Sequence, residues 1–292
     1  MLCRGPSAPG PYTLFAPSER ALGELLHRLG GVDTILDTMG KDSLLKLLQY
    51  HVLRGYALLE DMEHELLART LEGSHLRINR YDTYDNVYGS ATVTTANGER
   101  LVRAELAADN GLVHFIEGVL APPPADLVRT LSRDPRGRFS VLIEAVKLAG
   151  LQEVLADTKG RPKVPLRGRW CPWQTSGAPG RSVVPLAAVP LTLLAPTNVA
   201  FTQLPAEQLR RLLRDRRRLR QLLLGHVLVG SVYSAGLQPF QELETLAGST
   251  VRVFSDTVSM KVDNALVIVP DVTAGNGVVH AIDAVLGLPE ER

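Results

Sequence analysis

Asn110-Gly-Leu-Val-His-Phe-Ile-Glu-Gly-Val-Leu120 returns near the other end of the chain as Asn276-Gly-Val-Val-His-Ala-Ile-Asp-Ala-Val-Leu286. In each copy Asn-Gly supplies residues that tolerate positive φ, and the apolar, β-branched positions after it favour an extended strand. The copies lie 166 residues apart. That is far longer than one solenoid unit, so the spacing marks two copies of a whole domain.

Working outward, three more blocks repeat in the same order. Tyr12–Ser18 is answered by Leu191–Thr197, His51-Val-Leu-Arg-Gly55 by His226-Val-Leu-Val-Gly230, and Thr70-Leu-Glu-Gly-Ser74 by Thr245-Leu-Ala-Gly-Ser249. The last two pairs are offset by 175 residues and the closing block by 166, so the first copy carries nine extra residues, placed in the tyrosine-rich stretch 79–90. A chain of 292 residues holds two ordinary domains with a core in each. The expected division is 11–121 and 139–288, with 122–138 as a linker or connecting helix opened by the stiff Pro122-Pro123-Pro124.

Within the first copy, Tyr12–Ser18 reads as a buried strand stopped by Pro17, and Ser18 caps a helix bearing Leu22, Leu25, Leu26 and Leu29. A second helix carries Leu44, Leu45, Leu47 and Leu48, and a third covers Ala57 to Leu67. Leu76 and Ile78 face inward from a strand while His75 and Arg77 face out, residues 79–90 form an irregular polar loop, and Asn97-Gly98 turns a hairpin. In the second copy Phe139, Leu142, Ile143, Val146, Leu151 and Leu155 fit an opening helix broken at Gly150. No counterpart stands before Tyr12, so the first domain begins at its first strand and is expected to expose apolar surface there unless something else covers it. Residues 158–190 are basic, lack any acidic residue and contain both tryptophans, and read as a flexible insertion.

Lys+Arg 32 against Asp+Glu 31 leaves a net charge of +1, so no global field argues for specific nucleic-acid binding. Cys3 and Cys171 both lie outside the repeated pattern, which rules out disulfides as the main fold determinant. No stretch has the length of a transmembrane segment, no signal peptide is visible, and no Asn-Xaa-Ser/Thr acceptor occurs. The seven histidines show no metal spacing, and His64-Glu65 lacks the second histidine of a zinc helix. No nucleophile elbow, phosphate loop or catalytic carboxylate pair stands out. The expectation is a protein that is not an enzyme, with no cofactor and no metal.

Thr13-Leu-Phe-Ala-Pro-Ser18 and Thr192-Leu-Leu-Ala-Pro-Thr197, each followed by the Asn-Gly-(Leu/Val)-Val-His-Xaa-Ile block, give the chain its resemblance to the fasciclin-like (FAS1) family, on its periostin-type matrix branch. The resemblance implies an α+β fold: tandem FAS1-like domains, each a β-sandwich or wedge with packed helices. It also implies a secreted adhesion module of the extracellular matrix whose partners are integrins and matrix proteins such as collagen.

Two adhesion segments carry over by position. Tyr50-His51 matches the family's Tyr-His pair, while the second copy has Gly225-His226 and so lacks the aromatic anchor. Pro270, Asp271 and Val272 match an acidic-Pro-Asp-Ile-like segment, of which Ala104-Glu105-Leu106 is a weaker version; there is no Arg-Gly-Asp. The bland alternatives are that His51, His114 and His280 are buried hydrogen-bonding residues and that Asp271 is an ordinary loop acid.

A separate candidate is the run Arg210, Arg211, Arg214, Arg216, Arg217, Arg218 and Arg220 interleaved with leucines. It reads either as the solvated face of a packed helix or as a site for heparin-like glycans and other polyanions.

Overall fold

The computed structural model describes residues 10–31, 37, 39–85, 89–124, 126–156, 189–255 and 259–287. The basic segment 158–190 therefore falls outside the described residues apart from Val189 and Pro190. Two compact units emerge: Met1–Tyr81 with Ala91–Pro122, and Asp82–Ser90 with Pro123–Arg292.

In the first unit the chain runs β1 (Tyr12–Pro17), α1 (Glu19–Leu29), α2 (Lys41–Tyr50), β2 (Val52–Arg54), β3 (Leu66–Arg69), β4 (His75–Asp85), β5 (Gly89–Ala96), β6 (Glu99–Ala108) and β7 (Gly111–Ile116). Its strands are ordered β2-β1-β7-β6-β5-β4-β3. The pair β1–β7 is parallel, with Tyr12 opposite Gly111 and Pro17 opposite Ile116. The two ends of the order meet at one point, where Leu53 bridges Thr70 and Leu71 N donates to Val52 O at 2.8 Å. This curl encloses a core of Phe15, Tyr50, Leu53, Met62, Leu76, Ile78, Ala96, Ile116 and Leu120.

The second unit repeats the plan behind a helical preface of α3 (Leu127–Ser132), α4 (Ser140–Leu148) and α5 (Gln152–Leu155). There follow β8 (Leu191–Pro196), α6 (Asn198–Thr202), α7 (Ala206–Arg214), α8 (Arg216–Leu224), β9 (Val227–Val229), β10 (Gln241–Glu244), β11 (Thr250–Ser255), β12 (Met260–Val262), β13 (Ala265–Ala274) and β14 (Gly277–Ile282). The order β10-β11-β12-β13-β14-β8-β9, the parallel pair β8–β14 and the bridge Leu228–Thr245 match those of the first unit. Each unit is thus a mixed sheet with helices packed on it. The second has an enclosed core around Leu194, Leu228, Val253 and Ile282, and a larger one in which α3 to α8 pack on the sheet.

Local chemistry explains the punctuation. Ser18 Oγ accepts from Ala21 N at 3.3 Å to cap α1, and Gly30 at φ 85° ends it. Asp126 caps α3 and Asp215 caps α8 in the same way, and Gly150 at φ 64° breaks the opening helix as its sequence predicts.

Three local expectations need correction. Residues 79–90 are not an irregular loop, because β4 continues to Asp85 and β5 starts at Gly89, so the nine extra residues lengthen a strand ribbon. Between Ala57 and Leu67 only one 3-10 turn forms, at Leu59–Asp61. Arg77 is buried, not outward, since its guanidinium reaches Glu65 Oε2 at 2.8 Å and its amide donates to Asn97 Oδ1 at 2.9 Å.

Candidate functional site

The Tyr50–His51 pair sits where α2 hands over to β2, and both side chains are buried. His51 Nδ1 lies 2.8 Å from Leu47 O, while its Nε2 accepts from Leu120 N at 3.0 Å. A carbonyl only accepts and an amide only donates, so the ring is neutral with its proton on Nδ1. Burial holds its pKa below the usual histidine value, against the opposing pull of the Leu47 carbonyl. His226 repeats the arrangement with Leu222 O at 2.9 Å and Leu286 N at 2.9 Å, and burial pushes its pKa down to about 4. Each ring clamps the end of a helix to the segment that follows the closing strand.

Tyr50 Oη donates to His75 O at 2.8 Å and accepts from Asn97 Nδ2 at 2.7 Å, and burial pushes its pKa up to about 12. In the second unit Asp263 takes the place of Asn97, holding Arg252 N at 2.8 Å as Asn97 holds Arg77 N. A carboxylate has no donor for a phenol oxygen, which fits the exchange of tyrosine for Gly225 at the same junction.

Pro270, Asp271 and Val272 lie in β13, where the register with β14 shifts. Asp271 stands at φ 60°, and its carboxylate accepts from Ser234 N at 2.7 Å and from Ser234 Oγ. Its amide donates to His280 Nδ1 at 3.2 Å, and His280 Nε2 donates to Val232 O at 2.7 Å. Glu105 makes the equivalent set in the first unit. It stands at φ 58°, accepts from Leu59 N at 2.7 Å and donates its amide to His114 Nδ1 at 3.1 Å; His114 Nε2 reaches Ala57 O at 2.8 Å. These rings carry their proton on Nε2, opposite to His51 and His226. Burial again lowers the His114 pKa, with Ala57 O and then Glu105 opposing. Asp271 and Glu105 thus cap 3-10 turns, and a cation would have to compete with those amides for the carboxylate.

Sequence reasoning missed Thr13 and Thr192. Thr13 Oγ1 donates to Gly55 O at 2.8 Å and accepts from Ala57 N at 2.9 Å; Thr192 does the same with Gly230 O at 2.7 Å and Val232 N at 2.8 Å. Their recurrence in the repeated first block was the available signal.

The arginine run occupies α7 and α8. Arg210, Arg211, Arg214, Arg216, Arg217 and Arg218 are exposed, whereas Arg220 is half-buried and donates to Ala149 O at 3.3 Å and Gly150 O at 3.2 Å. Arg211 pairs with Glu207 at 3.3 Å. Among the described residues no group of three or more His, Cys, Asp or Glu side chains could hold a metal ion, and no helix is long and apolar enough to cross a membrane.

The fasciclin domain model matches residues 6–122 and 137–289, and the chain belongs to that family. It is 29% identical over 280 residues to transforming growth factor-beta-induced protein ig-h3 of Sus scrofa, covering 95% of this chain and 35% of that protein. To human periostin it is 25% identical over 281 residues, covering 95% of this chain and 27% of the relative. The chain thus spans about a third of these relatives' length. A FAS1 domain pair from the insect cell adhesion molecule Fasciclin I aligns with 95% of this chain and 88% of its own, at 17% identity and TM-score 0.41.

Proposed function

We propose that this chain is a non-catalytic extracellular adhesion module that engages integrins or matrix proteins such as collagen. In the first unit the contact surface is the rim beside Tyr50–His51, not those two side chains. The observation that carries this is their burial while Arg54 and Tyr56, which follow directly in the chain, are exposed. Arg54 and Tyr56 border a cleft of about 680 Å³ with Leu53, Asp61, Met62 and Arg69, and tyrosine and arginine are the residue types that anchor interfaces. The buried pair acts by fixing the course of β2, and with it the rim. The family likeness supports the adhesion class, and the commitment of His51, His114, His226 and His280 to backbone groups supports a structural use of these rings. Pro270, Asp271 and Val272 form the weaker candidate surface, because the Asp271 carboxylate already holds Ser234.

Cells should attach to surfaces coated with the whole chain, and chelation of divalent cations should abolish attachment. The double variant Arg54→Glu, Tyr56→Ala should attach about tenfold more weakly while keeping its circular dichroism spectrum. Unchanged attachment by that folded variant would remove the rim from consideration.

A second reading, a polyanion site on α7–α8, rests on the six exposed arginines. Three of them, Arg216, Arg217 and Arg218, occupy the first turn of α8, where the helix dipole already places positive charge and only Asp215 opposes it. A sulfated glycan laid there would relieve that repulsion. The chain should be retained on heparin and eluted by salt, as screening requires. Replacing Arg210, Arg214, Arg217 and Arg218 by glutamine should bring elution down to physiological salt; elution at the parent's position would rule this surface out.

A further inference from the structure

The duplication lets each unit report on what the other lacks. Since Gly111 and Gly277 face Tyr12 and Leu191 in the same parallel register, Leu14 and Phe115 correspond to Leu193 and Ala281. In the second unit Leu193 and Ala281 lie in the large core under the helices. Their counterparts in the first unit are each 38% exposed. The helices show the same contrast. Phe201 of α6 is 1% exposed against 43% for Leu22 of α1, and Leu223 of α8 is 3% exposed against 57% for Leu48 of α2. One face of the first sheet and the inner stripes of α1 and α2 are therefore open where the second unit is closed.

What closes the second unit is also visible. The preface α3–α5 contributes Leu127, Leu131, Leu142, Val146, Leu151 and Val154 to the shared core. Asn276 ties it to the closing turn, accepting from Leu127 N at 2.9 Å and donating to Leu155 O at 3.0 Å. Asn110 stands at the equivalent place in the first unit.

We propose that the open face of the first unit is a docking surface for an amphipathic helical segment of a partner polypeptide, with a leucine- and valine-rich stripe like that of 127–155. The class of occupant follows from the duplicate, which fills the corresponding face with such helices and nothing else. The surrounding charges agree with a peptide and not an anionic membrane. Glu19, Glu24 and Asp42 alternate with Arg20, Arg28, Lys41 and Lys46, so no basic face is presented to lipid headgroups. An isolated apolar face of this kind is an interaction site in a soluble unit. This inference is independent of the adhesion rim, and either stands without the other.

The test uses the whole chain and, as probe, a synthetic peptide of residues 126–156 carrying a photo-crosslinking side chain in its leucine stripe. Binding should saturate below roughly 1 mM with a gain of helical circular dichroism. Crosslinks should fall on α1, α2, β1 and β7 of the first unit. Leu22→Glu and Leu48→Glu, both at positions already open to water, should each weaken binding about tenfold with the fold retained. Three outcomes would overturn the proposal: no saturable binding, crosslinks confined to the second unit, or a sedimenting dimer of the chain alone that Leu22→Glu dissociates. The last would assign the face to self-pairing.

Discussion

Replacing Gly277 by alanine should unfold the second unit and leave the first intact. Gly277 opens β14 directly opposite Leu191 of β8, and a Cβ added there would stand 1.8 Å from the Leu191 carbonyl oxygen. That atom is backbone, so no rotamer change relieves the clash. The strands must part at the parallel pair on which the order of the sheet depends. The same turn also carries the preface, because Asn276 O accepts from Leu191 N at 3.1 Å while its side chain holds Leu127 N and Leu155 O. Moving β14 therefore disturbs sheet and helices together. Such a change belongs with the severe single substitutions, above about 4 kcal/mol, in a domain whose whole stability is on the order of 5–15 kcal/mol. Gly111→Ala should do the same to the first unit, where the added Cβ meets Tyr12 O at 1.8 Å. Urea titration followed by hydrogen exchange of the two units is the measurement. A Gly277→Ala protein in which β8 and β14 stay as protected as in the parent would show that this close approach is dispensable.

The duplication was legible because it is written in residue types that backbone geometry requires. Asn-Gly at 110 and 276, and the paired Thr of the first block, recur at fixed offsets since both units build the same turn and the same parallel pair. The asymmetry of the helical preface was legible too, from the absence of a counterpart to Phe139–Leu155. Periodicity failed where the deciding partner was distant. The leucines after Ala57 have helical spacing, but a side chain from β6, Glu105, caps the turn at Leu59 and the chain then leaves as β3. Arg77 alternates like an outward residue and is buried because Glu65, twelve residues earlier, supplies the countercharge. The tyrosine-rich stretch looked like a loop because a two-stranded extension has no buried face to impose alternation. The site residues were found by position, yet sequence alone does not reveal that Tyr50 and His51 point inward. That depends on Asn97 and Leu120, which lie 47 and 69 residues away.

Acidification from pH 6.5 to 4 should weaken the second unit by about 3 kcal/mol, and His226 is the reason. The ring is neutral in the folded state, since Nδ1–H donates to Leu222 O and Nε2 must stay unprotonated to accept from Leu286 N. Its pKa is about 4 folded and near the model value 6.5 unfolded. Between those values the unfolded chain binds a proton that the folded chain refuses, so stability is full above the unfolded pKa, declines as pH falls through the window and levels off below the folded pKa. At about 1.4 kcal/mol per pH unit, the span yields a loss of about 3 kcal/mol. Asp134, whose pKa is lowered chiefly by its hydrogen bond to Arg138, loses its contribution only below its ordinary carboxylate value of 3.8, outside this window. The first unit should follow in the same direction, because burial lowers both His51 and His114. Urea unfolding at pH 7 and pH 4.5, compared with the same pair of measurements on His226→Gln, isolates the ring. The variant should be weaker at pH 7 and show a flatter response to acid. An equally steep response in the variant would mean that another group carries the acid sensitivity, and a flat response in the parent would mean that the ring accepts its proton without opening the clamp between α8 and Leu286.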